Sequence, residues 1–230
     1  MDFKKYLKEL SIGLSVIIFY FVASISHTYG VYWLYDELNW PAELAHAYSI
    51  ICQLLIIVSI IYVYRHELRD NLNHFRKNAE SAFKNCAKYL FLSYGLVALS
   101  NTLVRMIADN NIAQNEEAIR ALSGSFPLYS IIIVILFAPV IEELIFRFSI
   151  RKLFGNLTWV YIICSGLIFG LLHVFSGNDY IYLISYSIPG CIFAYAYVKE
   201  KNIIVPIILH AINNSVGIAV IAWFTFFGLL

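Results

Sequence analysis

SIIIVILFAPVIEELIFRF, Ser130 to Phe148, places two adjacent glutamates and an arginine in an otherwise apolar run. Its first half reads as the middle of a membrane helix, since a helix needs about 20 mostly apolar residues to cross the hydrocarbon core. A carboxylate at the centre of a bilayer costs roughly 2.5–3.5 kcal/mol. Two of them in one such helix need partners or a task, and the rest of the chain decides which.

Of the 230 residues, 60% are hydrophobic, 17% aromatic and only 13% charged, and the mean hydropathy is +0.72. Soluble domains carry about 25% charged and about 45–50% apolar residues. The chain therefore reads as an integral membrane protein: a single all-α, polytopic membrane helical bundle with the lipid bilayer as its first partner. Seven spans are expected, with six to eight defensible, near 11–33, 42–63, 88–107, 128–149, 157–175, 180–198 and 203–227. The first follows a basic start and stays apolar for a full span, so it reads as a retained helix rather than a signal peptide. A net charge of +1 gives no global field for nucleic acid. Composition says nothing of oligomeric state. Cys52, Cys86, Cys164 and Cys191 are scattered without a C-x-x-C and read as reduced, buried packing residues.

Basic residues recur at alternate connections. Lys4, Lys5 and Lys8 precede the first span, Arg65 to Lys88 separate the second and third, Arg147, Arg151 and Lys152 follow the fourth, and Lys199 and Lys201 follow the sixth, with Arg105 and Arg120 as exceptions. The other connections carry Asp36, Glu37, Glu43, Asp109, Glu116, Glu117 and Asp179. The positive-inside rule then predicts a cytoplasmic N-terminus and an extracytoplasmic C-terminus. Residues 64–87 read either as a basic amphipathic helix on the inner surface or as a solvated loop. Residues 108–126 read as helical, broken at Gly124 and Pro127 before the fourth span.

Within APVIEELIFRF, residues four apart share a helix face, so Glu143 can pair with Arg147. Glu142 lies about 100° round the helix and needs a different partner, and Pro139 can open the backbone just upstream. Two further spans carry costly polar groups: FGLLH, with Phe169 and His173 on one face, and HAINN, with His210 and Asn214 on one face. Each alone is weak, since a lone histidine can bond a carbonyl and an amide can merely bridge helices. Intramembrane ionisable groups generally face the bundle interior and mark function. The most economical arrangement puts Glu142, His173, His210 and Asn214 around one hydrated cavity.

A poorly solvated carboxylate beside a histidine is suited to taking a proton from water and returning it to a leaving amine. Imidazole and amide groups on a facing helix are suitable donors to an oxyanion. No G-x-S-x-G motif or recognisable nucleophile setting occurs. Two histidines and a glutamate are also ligands of hydrolytic zinc sites, but the H-E-x-x-H helix is absent, so no cofactor is expected and zinc is disfavoured without being excluded.

Taken in order, E-E-x-x-x-R (Glu142, Glu143, Arg147), F-x-x-x-H (Phe169, His173) and H-x-x-x-N (His210, Asn214) resemble the CAAX protease and bacteriocin-processing family, also called Abi. Its active members are glutamic intramembrane proteases. The resemblance implies a division into variable N-terminal helices, 1–127, and catalytic helices, 128–230. It implies that Glu142 is the base activating water with His173 assisting, and that His210 and Asn214 form the oxyanion site. Glu143 and Arg147 would hold the helix and Phe169 would shape the pocket, with no metal. The family often has glycine after the motif arginine, where this chain has Phe148. The implied substrate is a membrane-associated peptide or protein, processed at a bacterial cell membrane. The alternative is a non-enzymatic membrane scaffold or bacteriocin self-immunity protein of the same family.

One geometric condition follows. His173 lies about 24 Å along its span and His210 only about 10 Å along its own. A shared site then requires tilted spans or a deep fourth helix, with Arg147 inside the bundle and neutralised by Glu143. The deeper placement is expected.

Overall fold

The computed structural model describes residues 3–107 and 112–227, so Asp109 of the expected third connection lies outside the described residues. All regular structure among them is helical. Helix α1 spans Phe3–Tyr32 and runs on as a π-helical turn, Trp33–Glu37. It is followed by α2 (Ala42–Val63), α3 (Arg65–Arg105) and the short α4 (Gln114–Ser125). Helix α5, Pro127–Leu153, is a composite of α- and π-helical turns. Helices α6 (Thr158–Val174), α7 (Leu183–Glu200) and α8 (Ile204–Phe226) complete the bundle.

Five helices are long and apolar enough to cross a membrane: α1, α2, α5, α7 and α8. Helix α6, with 17 residues, is about 25 Å long and equally apolar. The expected third span is part of α3, which is helical from Arg65 onward on both sides of a kink at Asn78, so the solvated-loop alternative falls. With 41 residues on the two sides of that kink, α3 amounts to about 60 Å of helix, twice the thickness of the hydrocarbon core. Its polar N-terminal half must therefore extend past the apolar layer, and it bends at Asn78, whose φ of −124° leaves the helical range. Large apolar side chains point outward around the bundle, among them Phe91, Trp159 and Ile184. In water this would be a severe liability; against lipid it is the ordinary state.

The core lies where α5 is wrapped by its neighbours. Ile141, Leu144, Ile145 and Phe148 pack with Val16 of α1, Ile56 and Ile60 of α2, and Tyr161 and Phe169 of α6. One end of the bundle is tied by charge: Lys152 of α5 pairs with Glu9 of α1 and lies 3.8 Å from Glu67 of α3. At that end Asn202 donates to the Asn71 carbonyl at 2.8 Å, and Ile203 N–H donates to Asn71 Oδ1 at 2.8 Å. These bonds clamp the α7–α8 turn onto α3. The four cysteines are free; Cys86 is buried, whereas Cys52, Cys164 and Cys191 are half-buried rather than fully enclosed.

Helices α6 and α7 approach most closely. A Cβ added to Gly166 would fall 2.2 Å from Cys191 Sγ and 2.7 Å from its backbone N. Gly170 is equally tight against Ser187. Small residues four apart let transmembrane helices touch backbone to backbone, and here they bring Phe169 against Phe193 of α7, ring centroids 6.4 Å apart.

Candidate active site

The site begins with the backbone of α5. Ala138 N–H reaches back five residues to the Ile133 carbonyl. In that register residue 139 would serve Val134, but Pro139 has no N–H. Asn214 of α8 fills the gap, its Nδ2 donating to the Val134 carbonyl at 2.8 Å. A second π-helical stretch, Leu144–Ser149, follows. Side chains serve its carbonyls as well. Ser149 Oγ donates to Leu144 at 2.8 Å, Ser165 Oγ to Phe146 at 2.9 Å and Tyr161 OH to Arg147 at 3.3 Å. Since Ser149 spends its proton on Leu144, the 2.8 Å contact between Tyr64 OH and Ser149 Oγ has Tyr64 as donor. Non-α backbone at membrane depth is tolerable where protein satisfies it, and here side chains of α6 and α8, with Ser149 of α5 itself, do so.

On this helix Glu143 and Arg147 are both wholly buried, with Arg147 Nε 3.0 Å from Glu143 Oε2. The pair is close but not aligned as a hydrogen bond, since Arg147 Nε and Glu143 Oε2 both lack one; the contact is chiefly coulombic. Arg147 Nη2 donates to the Gly190 carbonyl at 3.0 Å. Its guanidinium is boxed by Phe169, Phe193 and Phe146, with centroids 4.7, 5.5 and 5.7 Å away. Cation–π contacts of this kind are worth about 2 kcal/mol or more when desolvated. Arg147 thus sits inside the bundle.

Glu143 has a second partner that local spacing could not reveal. His210 Nδ1 donates to Glu143 Oε1 at 2.9 Å, so one carboxylate joins α5 to α8. His173 is fixed by its own helix, Nδ1 donating to the Phe169 carbonyl at 2.8 Å. Both rings therefore carry a proton on Nδ1, and in the neutral form each presents Nε2 as an acceptor. His210 donates through Nε2 only when doubly protonated.

The depth difference between the two histidines is bridged by Phe169. Its ring lies 4.4 Å from His173 and 5.7 Å from His210, while Phe193 walls His210 at 5.1 Å. His210 is within electrostatic reach of Glu142, His173 and Arg147. Glu142 is half-buried, and its Oε2 is shielded from solvent with no hydrogen-bond partner. Tyr20 of α1 is within electrostatic reach of the same carboxylate. Among the described residues no group of three His, Cys, Asp or Glu side chains is placed to hold a metal ion.

Sequence reading missed Tyr20, Tyr161, Ser165 and Phe193. Only Gly166 and Gly170, a G-x-x-x-G pair, carried a local signal for the α6–α7 contact that positions Phe193; the others come from distant parts of the chain.

These features define a class: a polytopic helical membrane protein with a desolvated Glu–Arg–His cluster where α5, α6, α7 and α8 meet, and an unpartnered carboxylate beside it. The model of the family described as Rce1-like, type II CAAX prenyl endopeptidase Rce1-like, matches residues 124–216. This region holds every motif residue from Glu142 to Asn214, and in it the chain is similar to that family. The chain is 34% identical over 134 residues to the membrane-embedded CAAX protease MroQ of Staphylococcus aureus, covering 55% of this chain and 52% of that one. It is 35% identical over 117 residues to the UPF0177 protein YajF of Lactococcus lactis, covering 49% and 57%. It is 33% identical over 109 residues to the putative membrane peptidase YdiL of Bacillus subtilis, covering 45% and 41%. The alignments thus span about half the length of these curated relatives. No solved structure matches.

Proposed function

We propose that this protein is an intramembrane endopeptidase that hydrolyses a peptide bond of a membrane-associated peptide or protein with a water activated by Glu142. The observation that carries the reading is the Glu142 carboxylate. One of its oxygens is shut off from solvent without a partner, within electrostatic reach of His210, whose Nδ1 is engaged by Glu143. A buried polar atom left unpaired costs about 1–3 kcal/mol, a strain that an ordered water or a substrate would relieve.

In this reading Glu142 takes one proton of the water, and His173 Nε2 accepts a hydrogen bond from the other. The water oxygen adds to the carbonyl carbon. The resulting oxyanion is held by the second hydrogen of Asn214 Nδ2, with His210 beside it on the same face of α8. Glu142 then returns its proton to the leaving nitrogen as the C–N bond breaks. Glu143, Arg147 and Phe169 position these groups, and no metal takes part. The basic end of the bundle faces the cytoplasm of a bacterial cell, with the N-terminus inside and the C-terminus outside.

The test compares peptides and membrane proteins of cells making the wild type with cells making Glu142→Gln at equal levels. A fragment present only with the wild type supports proteolysis and names the substrate. Identical profiles, with any cellular phenotype kept by the variant, would leave the non-enzymatic scaffold or immunity reading.

A further inference from the structure

A cavity of about 440 Å³ opens at the other end of the bundle, between α1, α2 and the start of α5. Its walls are mostly rings: Tyr32 and Tyr35 from the end of α1 and its π-helical turn, His46 from α2, and Phe126 and Tyr129 from the entry to α5. The rings hold one another in place, since His46 stacks on Tyr129 at 4.2 Å with 16° between planes and meets Phe126 edge-on at 4.2 Å. The polar floor is already satisfied. His27 Nε2 and Ser49 Oγ are 2.9 Å apart, and Ser49 Oγ is 2.8 Å from Tyr129 OH.

Asp36 is the cavity's formally charged lining residue, and it has no ion pair or hydrogen bond among the described residues. From Val31 to Ile60 the chain carries Asp36, Glu37 and Glu43 and no lysine or arginine. A ring-walled recess with a free carboxylate at its rim is chemically matched to an organic cation, attracted by the faces of the rings and by the uncompensated negative charge.

The cavity and the candidate active site both border α1. Tyr20, which is within electrostatic reach of Glu142, and His27, which lines the cavity, are seven residues apart on α1, about 10 Å of helix. An extended peptide covers that distance in about three residues. A ligand reaching both places is a chain rather than a headgroup.

We propose that this cavity is a substrate subsite that takes a lysine or arginine side chain about three to four residues from the scissile bond. The subsite rests on the peptidase reading for its role, but its recognition chemistry is testable without hydrolysis. The probes are two fluorescent octanoyl tetrapeptide amides, three leucines followed by lysine in one and by norleucine in the other. Each is titrated in maltoside micelles against the full chain, as wild type and as Glu142→Gln, with anisotropy as the readout. The lysine peptide should bind at least ~10-fold more tightly than its norleucine twin to both proteins. Asp36→Asn, a change at an exposed position, should abolish that preference and leave norleucine binding as it was. Equal binding of the two peptides by the wild type overturns the proposal, and so does a preference that survives Asp36→Asn. Phosphocholine displacing both peptides alike would assign the cavity to a lipid headgroup instead. Discrimination that persists in Glu142→Gln while no cleavage is found for the wild type would leave a cation-recognising peptide site standing and the peptidase reading fallen.

Discussion

Asn214 Nδ2 lies 2.8 Å from the carbonyl of Val134, closing a gap that Pro139 opens in the backbone of α5. Asn214→Ala leaves that carbonyl unpaired inside the bundle, with an expected loss of about 1–3 kcal/mol, read as a lower melting temperature in micelles. Adding Pro139→Ala returns an N–H to the position facing Val134, so the double variant should regain most of that stability. Peptidase activity should stay lost in the double variant, because the oxyanion still lacks its amide donor. Activity that recovers with stability would reduce Asn214 to a structural bond.

The adjacent glutamates should separate cleanly in stability and activity. Glu143 balances the buried Arg147 charge and accepts from His210, so Glu143→Gln leaves a buried cation without its counter-charge. About 3–5 kcal/mol should be lost, with activity falling because the fold fails. Glu142 has an oxygen that bonds to nothing, so Glu142→Gln should change the melting temperature little while lowering turnover about 10²–10⁴-fold. Melting curves and turnover of the two purified variants decide it. A Glu142→Gln protein that unfolds as readily as Glu143→Gln would make Glu142 a structural residue.

What the sequence made legible was local. Ala42–Val63 is the helix its apolar run predicts, and the Glu143–Arg147 contact follows from a four-residue spacing. Pro139 announced an opened helix, although not that its neighbours would be π-helical. The bond from His210 to Glu143 spans 67 residues and that from Asn214 to Val134 spans 80, distances over which helical periodicity carries no information. Residues 64–87 were ambiguous for the same reason. An amphipathic pattern suits a surface helix or a loop, and what selects the helix on either side of Asn78 is its distant partners: Asn71 with Asn202, and Tyr89 with Glu200 at 2.7 Å.

Metal chelation should leave activity intact. Among the described residues no group of three His, Cys, Asp or Glu side chains is placed to hold a metal ion. Cleavage of the substrate identified in cells should therefore persist after dialysis against 1,10-phenanthroline. Loss of cleavage that zinc restores would replace the water-activating role of Glu142 with a ligand role.

The packing of α6 on α7 should control the site from a distance. Gly166 allows the backbone of α7 to come so near that an added Cβ would collide with the Cys191 backbone N at 2.7 Å, an atom that cannot swing aside. Gly166→Ala must then push the two helices apart, at a cost of about 1–3 kcal/mol. The push separates Phe169 from Phe193, which together box Arg147 and wall His210, so activity should fall more than stability alone explains. Gly95 is the matched control, since an added Cβ there meets nothing within 4 Å. Gly95→Ala should leave activity unchanged and, by removing a glycine from a helix interior, raise stability by about 0.5–1 kcal/mol. If both glycine variants melt and cleave as the wild type does, the close approach of α6 and α7 does not set the geometry of the site.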